Sequence, residues 1–194
     1  CPREPVRPAF YPPPFIFLTT NLLYDAALVP NIGVGINFGH RFTLYADWMY
    51  AWWSNSGHHR YWRLYGGDIE MRMQLGEGKS SSKIAGHYVG VYGTIVTYDF
   101  QFGNHTGVIS GKFNYGGGVS YGYILPISSR LSLDFSIGIG YMWGRYRKHH
   151  PVDDHDVWIS THRLRWLGPT RLGVGLTWLI GNNHVNNKRK GGAK

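Results

Sequence analysis

The chain has 194 residues, of which 16% are aromatic, 27 are glycine and only 16% are charged, enough for one domain with a sizeable core. No run of about 18 apolar residues occurs, which excludes a membrane-spanning helix, and the single cysteine, Cys1, excludes an intramolecular disulfide. A net charge of +9 and a pI near 9.7 fit either a solvated basic surface or phosphate-rich partners: nucleic acid, or the anionic head groups of lipid and lipopolysaccharide.

Residues 1–14 (CPREPVRPAFYPPP) are proline-rich, which removes backbone donors and favours an extended arm. A mature chain that begins with cysteine is what lipoprotein processing leaves, so Cys1 is a lipidation candidate. The plainer alternative is that its position is incidental.

The first expected strand, about Phe15 to Leu23, sets Ile16, Leu18, Thr20 and Leu22 on one face. Tyr24 to Pro30 reads as a short loop. The second, Ile32 to Phe38, alternates Ile32, Val34, Ile36 and Phe38 with Gly33, Gly35 and Asn37. A tight turn at Gly39–Arg41 leads to the third, Phe42 to Trp52. Its odd face holds Thr43, Tyr45, Asp47, Met49 and Ala51. The fourth, Tyr61 to Leu75, opposes Ile69, Met71 and Met73 to Asp68, Glu70 and Arg72. A fifth, about Ala85 to Phe100, alternates more weakly. After a loop at Gln101–Gly111 comes a sixth, from Phe113 to Leu125.

The clearest pattern is the seventh strand, LSLDFSIGIGYMW. Leu131, Leu133, Phe135, Ile137, Ile139, Tyr141 and Trp143 take every second position, with Ser132, Asp134, Ser136, Gly138, Gly140 and Met142 between them. The longest loop is expected at Arg145 to Pro169. The last strand, Arg171 to Ile180, alternates Leu172, Val174, Leu176, Trp178 and Ile180 with Gly173, Gly175 and Thr177. A basic tail follows at 182–194.

Period alone does not separate a soluble sandwich from a membrane barrel. The composition of the second face does. It consists mostly of Gly, Ser, Thr and Asn, too small and uncharged for a solvated exterior, but suited to a narrow lumen. A lipocalin-like soluble barrel would need a charged outer face. The mean hydropathy of -0.27 does not oppose a membrane barrel, because only alternate residues face lipid. Short Gly/Ser-rich turns also alternate with longer connections rich in aromatic, His and charged residues. The expected architecture is therefore all-β: an eight-stranded antiparallel transmembrane β-barrel over 15–181. It has short periplasmic turns, longer extracellular loops and periplasmic termini, between the arm at 1–14 and the tail at 182–194.

In that lumen Asp47, Asp68, Glu70, Arg72 and Asp134 would be buried and must pair. They read first as an internal salt-bridge plug, and second as an ion or proton path, which so narrow a barrel disfavours. Arg145, Arg147, Lys148, Arg163, Arg165 and Arg171, with Trp143, Trp158 and Trp166, form a basic-aromatic crown. It is suited to lipid phosphates at the outer rim. The loop histidines (His58, His59, His105, His149, His150, His155 and His162), with Asp153, Asp154 and Asp156, lack any fixed metal-ligand spacing. Ser54, His58, Ser160 and His162 share a rim and could serve ester hydrolysis, but no GxSxG nucleophile motif occurs.

Five blocks carry a resemblance: TNLLYDAALVPNIGVG (20–35), WMYAWWSN…HRYWRLYGGDIEMR (48–72), GVYGTIVTYDFQFG (90–103), YGYILPISSRLSLDFSIGIGYMWGRY (121–146) and GPTRLGVGLTWLIG (168–181). Through them the chain resembles the DUF3575 family, small outer-membrane β-barrel proteins of Bacteroidota, over roughly residues 18 to 181. The resemblance implies a barrel in the outer membrane. It implies no catalytic residue, since the family's function is unknown.

The functional expectation is a non-enzymatic accessory or structural subunit of a larger outer-membrane assembly. Its partners would be larger barrels or lipoproteins, and outer-membrane lipid and lipopolysaccharide. No catalytic, cofactor or metal site is expected. Nucleic acid is not an expected partner, because the charge lies in the rims and tail. The alternatives are a lipid A or phospholipid-modifying rim enzyme, and a surface adhesin or receptor built on the loop at 145–169.

Overall fold

The structure, a computed structural model, describes residues 15–38, 41–55, 60–75, 85–102, 107–110, 112–128, 130–152 and 155–180, with the backbone alone described at 102, 149–152 and 155–159. Cys1, the proline-rich arm and the basic tail lie outside the described residues.

Among the described residues, nine strands form one antiparallel sheet. They are β1 (Phe15–Asn21), β2 (Asn31–Phe38), β3 (Phe42–Asn55), β4 (Arg60–Gln74), β5 (Gly86–Phe102), β6 (Gly107–Ile109), β7 (Asn114–Pro126), β8 (Leu131–Val152) and β9 (His155–Ile180). Each strand in the series β1, β2, β3, β4, β5, β7, β8 and β9 pairs with the next, and β9 pairs back with β1. The result is a closed ring of eight strands. Short β6 stands above β7 and pairs with β5 and β8.

The ring is packed inside out relative to a soluble sandwich. In β8, Ile137 is 50% exposed and Ile139 57%, while Ser132 and Asp134, which alternate with the exposed Leu131 and Phe135, are buried. Ile32, Val34, Ile69, Val91, Val119 and Leu172 are likewise exposed. The pleat sends one set outward and its complement inward, and the inward set is the small and polar one. Glycine admits the larger interior residues. A Cβ at Gly122 would stand 2.3 Å from the Tyr88 ring.

The interior has three levels. Near the end where β1 begins and β9 stops, Phe17, Tyr45, Tyr88, Ile124 and Leu179 form one apolar cluster. At the far end, Val29, Met49, Ala51 and Val96 form another, with Tyr24, Trp62, Leu64 and Met142 against it. The charged residues lie between.

Three expectations change. The expected loop from Tyr24 begins instead as a helical turn, α1 (Leu22–Ala26), so β1 stops at Asn21. Asn21 stops it because its side chain accepts a hydrogen bond from the Leu23 amide at 3.2 Å, an N-cap. The indoles of Trp53 and Trp62 donate to the carbonyls of Leu28 and Ala27, at 2.7 and 3.2 Å, and fasten this segment across the far end. Leu28 holds a positive φ of 59°, an uncommon conformation for a residue with a Cβ.

The expected loop at 145–169 is instead strand, the upper parts of β8 and β9 paired as far as Val152 and His155. Alternation fails as a signal there. A hairpin rising clear of the ring has no buried face, yet its backbone pairing is unaffected by side-chain polarity. Likewise, β6 forms inside the expected loop at 101–111.

Candidate functional site

The five predicted lumen residues meet in one network, joined by an arginine that periodicity had not placed with them. Arg72 and Glu70 lie two apart on β4 and so face the same way. The Arg72 Nε donates to Glu70 Oε2 at 2.7 Å, and its Nη1 donates to Asp134 Oδ2 at 2.6 Å. The Tyr88 hydroxyl donates to the other oxygen of Asp134 at 2.8 Å, and the Ser120 hydroxyl donates to Glu70 Oε1. The Arg72 guanidinium lies 4.3 Å from the ring centre of Tyr45 and 4.7 Å from that of Tyr88. A buried cation is tolerated when it is paired with hydrogen-bonded carboxylates and covered by π systems, and Arg72 has both.

Arg171 forms the second centre. Its Nη2 lies 3.1 Å from Glu70 Oε2 and 3.6 Å from Asp47 Oδ2, and its Nη1 lies 3.6 Å from Asp68 Oδ2. Asp47 and Asp68 stand directly opposite each other across β3 and β4. That register places like charges together and is unfavourable without a cation beside it. Tyr45 is shared, its ring facing Arg72 on one side and lying 5.5 Å from Arg171. Four carboxylates thus converge on two guanidinium groups. The cavity left beside them is only about 20 Å³, about the size of one water. Above it, burial and then the negative charge of Asp68 and Asp47 push the Tyr24 phenol of α1 up to about 12. That group stays protonated at neutral pH.

The placement of Arg171 corrects the sequence-based crown. Arg163, Arg165 and Arg171 share odd numbering and would lie on one face of an uninterrupted strand. The register shifts between Gly138 and Ile139, which face Arg171 and Pro169, so Thr170 is an extra residue in β9. Such a bulge re-aims side chains. Below it Arg171 points inward and is 9% exposed; above it Arg163 and Arg165 point outward. The parity that Arg171 shares with Gly173, Gly175 and Thr177 was the signal that could have placed it.

Arg145, Arg147, Arg163 and Arg165 are exposed at the far end. Arg145 faces Arg163, and Trp143 faces Arg165, across β8 and β9. Trp166 pairs with Met142 rather than with a residue of the arginine row; it is 51% exposed, and its indole donates to the Pro169 carbonyl at 3.2 Å. The side chain of Trp158 lies outside the described residues, as do His58, His59 and His105 and the side chains of His149, His150 and His155. Ser160 and His162 do meet, Oγ to Nε2 at 2.8 Å, at an exposed position where Tyr146 stacks on the imidazole. Ser54 stands on β3 opposite Tyr61.

A closed antiparallel ring, apolar outside and cross-linked by charge inside, defines the class of this protein. The family model described as a protein of unknown function, DUF3575, matches residues 15–180, and the chain belongs to that family. No curated protein matches it.

Proposed function

We propose that the chain is an eight-stranded β-barrel of the outer membrane, with both termini in the periplasm, acting as a non-enzymatic accessory or structural subunit of a larger outer-membrane assembly. The observation that carries the membrane reading is the inverted packing. Exposed large apolar side chains stand on the outward face of all eight ring strands, where water would find no polar partner and lipid would need none. Conduction is disfavoured by the interior, which Arg72, Arg171 and their carboxylates fill. Association is favoured by β9. From His155 to Arg171 no strand pairs with its second edge among the described residues; below that, the Asn21 side chain takes the Leu172 carbonyl and the Val174 amide. Such an edge is a template for strand addition by a partner.

The test is affinity capture of the tagged chain from gently solubilised outer membranes, with mass spectrometry of what co-elutes. A stoichiometric larger barrel or lipoprotein is the expected result, and a lone barrel would overturn the subunit role. The Ser160–His162 contact favours a second reading, a rim esterase. Its sign would be phospholipid hydrolysis by the purified chain that Ser160→Ala abolishes.

A further inference from the structure

We infer that the outward wall of β7, β8 and β9 at the far end holds a binding site for a membrane lipid whose head group carries more than one phosphate charge. The inference rests on the membrane reading above and adds a ligand to it. An open groove of about 590 Å³ lies on this wall, with Lys112, Arg145, Arg163 and Arg165 at its polar part and Tyr141 and Trp143 beneath.

Three features point to an anion. First, the register sets Arg145 directly opposite Arg163. Two cations whose Cβ atoms lie about 5 Å apart repel each other unless an anion lies between them. Second, among the described residues no carboxylate pairs with Arg145, Arg163 or Arg165; the ion pairs found are those of Arg63, Arg72 and Arg171. The contrast with Arg63 is instructive. It too faces outward near the far end, but it has Asp99 at 3.3 Å and lies over the rings of Trp52 and Tyr61. Third, guanidinium groups bind phosphate oxygens through paired, charge-assisted hydrogen bonds.

The surroundings point to a lipid as the bearer. Below the cations, Trp143 stacks with Tyr141 and Tyr115 at 6.0 and 6.2 Å. The exposed apolar side chains Ile139, Ile137 and Val119 continue down the wall. Cations over an aromatic band over an aliphatic face is the order that a phosphorylated head group, its ester region and its acyl chains require. Three arginines and a lysine exceed the single negative charge of a phosphodiester lipid. The matching ligand is therefore a glycolipid bearing two separate phosphate groups, of the lipid A kind.

The experiment folds the full chain into neutral phosphatidylcholine vesicles, checks folding by heat-dependent mobility on SDS gels, and transfers it to detergent for native mass spectrometry. The probes are diphosphoryl lipid A, monophosphoryl lipid A and phosphatidylglycerol. Binding is expected to fall in that order, and the diphosphoryl adduct is expected to fall about tenfold in R145Q/R163Q. The folded fraction should not change, since both positions are exposed. Millimolar inorganic pyrophosphate should leave the adduct in place. Equal binding of all three lipids, an unchanged adduct in the variant, or displacement by pyrophosphate would each overturn the site. Failure of the chain to insert into neutral vesicles would overturn the membrane reading and the site with it, whereas insertion with phosphate-indifferent binding overturns the site alone.

Discussion

Arg72 and Arg171 occupy the same interior, share Glu70 and the ring of Tyr45, and are held in different ways. Arg72 comes from an unbroken strand, two residues beyond its first partner. Its hydrogen bonds are 2.6 and 2.7 Å long, and two tyrosine rings lie within 4.7 Å of its carbon. Arg171 comes from the residue after a bulge. Its carboxylates lie 3.1 to 3.6 Å away, its aromatic rings stand beyond 5 Å, and its Nη1 makes no hydrogen bond. The first centre is a hydrogen-bonded joint. The second is mainly a counter-charge placed between two aspartates that face each other. Plain strand parity turns both arginines inward, and what separates the two centres is how closely their partners approach.

Three single substitutions, one of them combined in turn with two others, test that difference. Arg72→Leu should have the largest effect, because it leaves Glu70 and Asp134 without their shared donor. The expected loss is about 3–5 kcal/mol, read as the urea midpoint of the chain folded in detergent micelles. Arg171→Leu should cost less, about 2–3 kcal/mol, since weaker contacts are lost. Its signature is conditional. Adding Asp47→Asn to Arg171→Leu should recover part of the stability by removing one of two facing charges, while Asp134→Asn added to the same background should recover none. If Arg171→Leu proves as costly as Arg72→Leu, or if the two rescues are equal, the distinction between joint and counter-charge fails. Tyr88→Phe should be the mildest, about 1–2 kcal/mol, removing one donor from Asp134 while the ring over Arg72 remains. A loss as large as that of Arg72→Leu would mean that the hydroxyl rather than the guanidinium organises the joint.

The ring was legible because its signal is a period. Ile137, Ile139 and Tyr141 alternate with Gly138, Gly140 and Met142 whether the outside is water or lipid, and the small uncharged second face settled which side was inner. The inward carboxylates at Asp47, Asp68, Glu70 and Asp134 followed from the same parity. What was not legible was whatever depends on phase or on the absence of a buried face. Arg163 and Arg165 were read in a loop, where residues have no assigned face, and Arg171 was grouped with them by charge, although the one-residue shift at Thr170 sets it on the opposite side of β9 from them. The upper hairpin carries polar residues on both sides and shows no apolar stripe, so it read as loop. The helical turn at Leu22–Ala26 is a single turn, too short to establish a 3.6-residue period, and only the Asn21 cap announces it.

The extra residue at Thr170 also makes the two ends of β9 interchangeable in a particular sense. The strand carries arginines on the same numerical beat above and below it, and one residue of chain length decides which of them address the interior and which address the surroundings. Removing Thr170 while the lower pairing is kept would rotate the upper segment by half a pleat. Arg163 and Arg165 would turn toward the inner face, and Leu164 and Trp166 would take their places outside. The surface of this wall is therefore encoded as much by spacing as by residue type. A relative could exchange a basic rim for an apolar one by a single-codon deletion, with no substitution at all.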